Sequence, residues 1–168
     1  MEAAITLRVD GRPHSLTLDA RTTLLDALRD HLGNFSPKKG CDHGQCGACT
    51  VLLDGRRVTT CLLLAAQADG CEVVTAAGLT GEDGEPHPMQ RAFLDRDGFQ
   101  CGYCTPGQIC SAVGMLAEAR QGHPSHASPD VGKPPELTDE EIRERMSANL
   151  CRCGAYPSIV AAIREVAP

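Results

Sequence analysis

The chain has 168 residues, a formal net charge of −6, and aromatic residues at only 3% of its length. That length accommodates two small domains and excludes a large catalytic domain beside them. The acidic balance, with no basic stripe and no interleaved aromatics to stack bases, excludes nucleic acid as a partner.

Ile5, Leu7 and Val9 alternate with polar residues. Asp10-Gly11-Arg12-Pro13 supplies a turn, and Leu16 and Leu18 resume the alternation, so a β-hairpin with one buried face is predicted. From Thr22 or Thr23 the period changes. Leu24, Leu25, Leu28 and Leu32 form a helical stripe that Gly33 is placed to end. A second hairpin is predicted across Val51 to Val58, turning at Asp54-Gly55, and Glu72-Val73-Val74-Thr75 reads as a last strand.

Residues 76–88 hold three Gly and two Pro and read as a linker. Two domains are expected, 1–77 and 86–168, in an α+β chain. Four helices are predicted in the second. Pro88 opens one with Met89, Ala92 and Phe93 on its inner face. Thr105, as cap, and Pro106, as first residue, open the next, striped by Ile109, Val113 and Leu116. A capping box, Thr138-Asp139-Glu140-Glu141, opens a third with Ile142, Met146 and Leu150 inside, and Ile159, Ala162, Ile163 and Val166 stripe the fourth. Four helices imply a bundle. Residues 121–137, with four Pro and two His, read as a surface loop.

No run approaches the roughly 20 apolar residues of a membrane span. Met1-Glu2-Ala3-Ala4 leads into a strand pattern instead of a basic start and an apolar stretch, so neither a span nor an export signal is expected. A reducing compartment is then the default, and there ten cysteines favour metal over disulfides.

Spacing sharpens this. Cys41, Cys46, Cys49 and Cys61 form C-x4-C-x2-C-x11-C, and C-x4-C-x2-C with a distant fourth Cys is the known plant-type [2Fe–2S] arrangement. Gly40, Gly44 and Gly47 would let the backbone fold closely over a cluster and aim N–H groups at sulfur. Structural zinc and disulfides are the bland alternatives. Cys101 and Cys104 (C-x2-C) and Cys151 and Cys153 (C-x-C) form a second quartet, each pair followed by a helix start whose positive end favours an anionic group. That pattern also suits tetrahedral zinc. Cys71 and Cys110 fit neither quartet, and His43, His123 and His126 are read as loop residues. With no nucleophile–base pair or phosphate loop elsewhere, the chemistry indicated is electron transfer.

Gly40 to Thr50, Asp97 to Gln108 and Asn149 to Gly154 together resemble the three signatures of the iron–sulfur small subunit of the molybdenum hydroxylases, the xanthine dehydrogenase and aldehyde oxidase family. The resemblance covers nearly the whole chain. It implies a β-grasp ferredoxin domain followed by a four-helix-bundle domain, each with a [2Fe–2S] cluster. It also implies partner subunits carrying molybdopterin and FAD, as in a heterotrimer. Electrons would pass from molybdenum to the helical-domain cluster, to the β-grasp cluster and to FAD. Gln100 and Cys153 would contact the pterin. Cys153-Gly154-Ala155-Tyr156-Pro157 is similar to the bacterial aldehyde oxidoreductase branch, so an aldehyde is the expected substrate. A cytoplasmic protein is expected, or a periplasmic one after removal of a leader. A free-standing two-cluster ferredoxin or redox sensor, and a zinc-stabilised interaction module, are the readings from other classes.

Overall fold

Both hairpins of the N-terminal half turn on an Asp-Gly pair. In this computed structural model, which describes residues 1–81 and 83–167, Asp10 and Gly11 have φ of 50° and 78°, and Asp54 and Gly55 have 47° and 78°. Two successive positive φ values match the right-handed twist of the strands they join. The strands are β1 (Glu2–Val9), β2 (Arg12–Asp19), β3 (Thr50–Leu53), β4 (Arg56–Thr59) and β5 (Glu72–Val74). They form one mixed sheet in the order β2-β1-β5-β3-β4, with β1 and β5 parallel and the other neighbours antiparallel. The predicted alternation holds: Ile5, Leu7 and Val9 are buried on one face.

Against that face lies α1 (Leu24–Asp26), continued by a π-helical segment, Ala27–His31. Thr23 accepts from the Asp26 N–H at 3.1 Å, and Gly33 ends the segment at φ 66°. Leu24 and Leu28 join Leu7, Val51 and Val73 in one core. Each such leucine, fully removed from water, stabilises the half by about 1.5–3 kcal/mol. Leu25 faces Cys49 and Cys61 instead.

The second half is built from α2 (Pro88–Asp95), α3 (Thr105–Arg120), α4 (Asp139–Met146) and α5 (Tyr156–Val166). Helix α2 packs on α5 and α3, and α4 packs on α3 and α5. Met89, Phe93, Met115, Ile142, Ile159 and Ile163 fill a second core distinct from that of the sheet. The linker expected at 76–88 includes position 82, which lies outside the described residues. Residues 121–137 have no helix or strand, as predicted, yet they roof an ion pair. The Ser128 hydroxyl donates to the Glu141 carboxylate at 3.0 Å, and the His123 carbonyl accepts from Arg145. Among the described residues, no helix is long and apolar enough to cross a membrane.

Three local expectations are corrected. Thr105 is the first residue of α3 and not its cap: Cys104 holds the cap position, Pro106 comes second, and the Thr105 hydroxyl is buried without a partner. It starts one residue too late to reach the free N–H groups of the first turn. At α4 only half of the capping box forms. Thr138 accepts from the Glu141 N–H at 3.2 Å, but the Glu141 carboxylate turns to Arg145 at 2.8 Å, the stronger charged partner. Leu150 is not in the core stripe, because α4 ends at Met146 and the chain crosses to the other half, leaving Leu150 50% exposed.

Candidate metal centres

The first cysteine loop is shaped by its glycines. Gly44 and Gly47 have φ of 72° and 66°. A Cβ on Gly44 would stand 2.2 Å from Leu62, and one on Gly47 would stand 2.5 Å from the Ala148 carbonyl oxygen. The turns aim backbone donors at sulfur. Gly44 N–H donates to Cys61 Sγ at 3.2 Å, and Gln45 and His43 N–H donate to Cys41 Sγ at 3.2 and 3.4 Å. The His43 N–H leads the groups that lower the Cys41 thiol to about 7, with the Cys46 side chain bonding to it as well. Burial and the adjacent Cys49 raise Cys61 to about 11. The first quartet therefore gathers as two pairs, Cys41 with Cys46 and Cys49 with Cys61. The His43 ring stays in the loop, its Nδ1 2.6 Å from the Cys41 carbonyl oxygen.

The second quartet stands at two helix starts. Cys104 caps α3, and the Ala155 N–H, at the start of α5, donates to Cys151 Sγ at 3.4 Å. Burial raises Cys104 to about 12, and it lies against Cys151 and feels Cys101. Cys151 is buried too, yet backbone N–H bonds from Ala155, Cys153 and Gly154, with a side-chain thiol bond from Cys104, draw it below its ordinary value. Cys101 is exposed, and Cys153 is half-buried. Gln100 is exposed beside Cys101. Cys71 and Cys110 stand apart: Cys110 is fully buried in the helical core, and Cys71 lies at the edge of the sheet core.

The loops carrying the two quartets touch. Tyr103 Oη donates to the Lys39 carbonyl at 2.7 Å, and Leu150 N–H donates to the Cys46 carbonyl at 2.9 Å. A cavity of about 440 Å³ opens between them, lined by Cys41 and Cys46 on one side and Cys101, Cys104 and Cys151 on the other. Beneath it, Asn149 Nδ2 donates to the carbonyls of Gly47 at 3.0 Å and Gly107 at 3.2 Å, and Gln108 Nε2 donates to the Asn149 carbonyl at 2.9 Å. The sequence reading gave Gln108, Asn149 and Tyr156 no role. The available signal was a polar residue in an apolar helix four positions after Cys104. Tyr156 Oη accepts the Cys151 N–H at 2.8 Å.

Among the described residues, no three His, Cys, Asp or Glu side chains close on a single metal ion. Three thiol pairs form, Cys41 with Cys46, Cys49 with Cys61 and Cys104 with Cys151, and paired thiols flanked by N–H donors suit a two-iron cluster with Cys ligands on each iron. Such a group is anionic, and both helix starts and loop amides present positive ends to it.

Residues 7–76 match the model of a 2Fe-2S iron-sulfur cluster binding domain, and residues 75–164 match that of a [2Fe-2S] binding domain. The chain is 57% identical over 163 residues to the aldehyde oxidoreductase iron-sulfur-binding subunit PaoA of Escherichia coli K12, covering 97% of this chain and 71% of that protein. It is 44% identical over 160 residues to the nicotinate dehydrogenase small FeS subunit of Eubacterium barkeri, covering 95% and 92%. Quinoline 2-oxidoreductase from Pseudomonas putida 86 contains a chain that superposes with a TM-score of 0.82 at 37% identity, covering 99% of this chain and 93% of that one. With two cluster-binding domains in this order and relatives that match it nearly end to end, the chain belongs to the iron–sulfur small subunits of the molybdenum hydroxylase family.

Proposed function

We propose that this chain is the electron-transfer subunit of a molybdenum-dependent aldehyde oxidoreductase. The observation that carries the reading is that the loop bearing Cys41 and Cys46 and the loop bearing Cys151 and Cys153 touch through the Leu150–Cys46 hydrogen bond, in a chain that matches two cluster-binding domains. Cys41, Cys46, Cys49 and Cys61 would hold one [2Fe–2S] cluster, and Cys101, Cys104, Cys151 and Cys153 the other. Each cluster, when bound, supplies a one-electron acceptor and donor.

The chain's own groups do the rest. Backbone N–H groups of His43, Gly44 and Gln45 stabilise added negative charge on the first quartet, and the starts of α3 and α5 do so on the second. Leu25 and the walls of the sheet core exclude water from Cys49 and Cys61. In this reading the domains are 1–77, a β-grasp ferredoxin, and 86–168, a four-helix bundle, supported by the two separate cores.

Exposed Gln100 and half-buried Cys153 would meet the pterin of a molybdenum-binding large subunit, with an FAD-binding subunit as the outlet, in a heterotrimer. Aldehyde as substrate is supported by the name and identity of the Escherichia coli relative. A cytoplasmic setting is supported by ten free cysteines among the described residues.

Metal and labile-sulfide analysis of the purified complex tests the reading. About four iron and four sulfide per chain are expected. A colourless, sulfide-free chain holding zinc would overturn it, and iron-loaded chain that never co-purifies with a molybdenum protein would favour the free-standing ferredoxin instead. Gln100→Ala is expected to leave iron content unchanged and to slow cluster reduction by substrate, since one buried hydrogen bond left unpaired costs about 1–3 kcal/mol.

A further inference from the structure

We infer that Tyr103 is a positioning residue for transfer between the two centres: its hydroxyl ties the Cys101–Cys104 loop to the Cys41 loop and so sets the gap that an electron crosses. The inference rests on the reading that each cysteine quartet holds a cluster, and it adds a residue that is a ligand of neither.

Tyr103 stands between Cys101 and Cys104, in a loop that Gly102 turns at φ 78°. It lines the cavity of about 440 Å³ between the quartets. Its Oη donates to the Lys39 carbonyl, two residues before Cys41, at 2.7 Å, the ordinary length for an O–H donor. Among the described residues, no other hydrogen bond joins residues 97–104 to the sheet half. The acceptor is itself held from three sides. Lys38 N–H donates to the Ala48 carbonyl at 3.0 Å, beside Cys49, and Arg29 donates to the Pro37 carbonyl at 3.0 Å. The Lys39 ammonium pairs with Asp26 of α1. The hydroxyl therefore grips a pinned point of the sheet half and not a free loop. The Cys151 arm has its own tie, the backbone bond from Leu150 to the Cys46 carbonyl. Tyr103 does the same for the Cys101 and Cys104 arm. When one electron leaves one centre and enters the other, no bond forms or breaks between them, and the rate falls steeply with separation. A loop free to sway would widen the gap.

The test uses the cluster-loaded full chain and Tyr103→Phe, which keeps the ring and removes only the hydroxyl. Two reduced centres held near each other split each other's EPR lines. That splitting is read against Cys49→Ser and Cys104→Ser, each expected to hold one centre. In Tyr103→Phe the lines of each centre should keep their positions, while the splitting between them shrinks and blurs. Amide exchange at residues 39–46 and 101–104 should quicken by roughly two- to tenfold, the range of one net hydrogen bond.

A Tyr103→Phe chain with both centres and native splitting overturns the inference. So does one that loads a single centre, since the hydroxyl would then serve assembly of a centre instead of the spacing of two. Two loaded centres without splitting in the unsubstituted chain also overturn it, because the loops would not then bring the centres within range. An unsubstituted chain that binds fewer than two clusters sinks the underlying reading instead.

Discussion

Cys49 and Cys71 are both cysteines of the sheet half, and their surroundings separate them. Cys49 is 3% exposed, packed with Leu25 and Cys61. Cys71 is half-buried at the edge of the core, its thiol raised by burial and by Asp54. Cys49→Ser is expected to remove the first centre and leave the second, whereas Cys71→Ser should leave the spectra of both. Loss of either signal in Cys71→Ser would show the ligand set to be wrong. Because thiols must be deprotonated to bind iron, and the site forms only in the folded chain, the Cys49 variant should also unfold its own half at lower denaturant. The two cysteine quartets are proposals that the sequence itself suggests, because cysteine spacing reflects the geometry of a metal site. Gln108 and Asn149 were not legible there, because their roles depend on partners about forty and one hundred residues away.

Among the elements, α3 is the one whose first turn meets the other half of the molecule. A Cβ on Gly107 would lie 2.4 Å from the Gly47 carbonyl oxygen and 3.0 Å from the Ala48 carbonyl carbon, both backbone atoms that cannot swing aside. Gly107→Ala is therefore expected to be destabilising although alanine favours helix, by about 1–3 kcal/mol, the usual range for overpacking. A thermal midpoint equal to or above that of the unsubstituted chain would show that the loops give way. Helix α4 carries a second device. Glu141 and Arg145 are buried and bonded at 2.8 Å. Burial pushes the Glu141 carboxyl up, but bonds from Ser125, Ser128 and Arg145 outweigh it and hold the group below its ordinary 4.5. A depressed carboxyl stabilises the fold above its unfolded value, and that contribution is lost as the pH falls through the folded one. Glu141→Ala should then cost about 3–5 kcal/mol at pH 7, as for a buried pair that loses one partner. The gap in urea midpoint from the unsubstituted chain should narrow as the pH falls below 4.5. A constant gap would mean that the carboxylate's charge contributes nothing. The helices themselves were legible from their stripes. The differences are at the ends: Thr105 is the first residue of α3 instead of its cap, and α4 stops at Met146, short of Leu150, whose N–H goes to the Cys46 carbonyl.

At the scale of the whole molecule, the stretch 76–88, with its three Gly and two Pro, suggests two parts, and the buried residues cluster as a sheet core and a helical core. The joint between them was not readable, because it relies on glycine backbone and a few polar side chains distant in the chain, with Leu52 set against Gly114 of α3. Arg57 of β4 grips Glu118 of α3 with two bonds of 2.8 Å and reaches the Arg145 carbonyl at 2.6 Å, while Asn149 bridges Gly47 and Gly107. The planar fork of arginine suits this grip, and lysine could not reproduce it. Such a joint makes the two halves poor interchangeable parts. A chimera that takes the sheet half from one relative and the helical half from another inherits a working contact only when the residues at 47, 107 and 149 arrive as a matched set. A graft chosen by surface hydrophobicity alone would set the loops apart and leave the carbonyls of Gly47 and Gly107 without their shared donor.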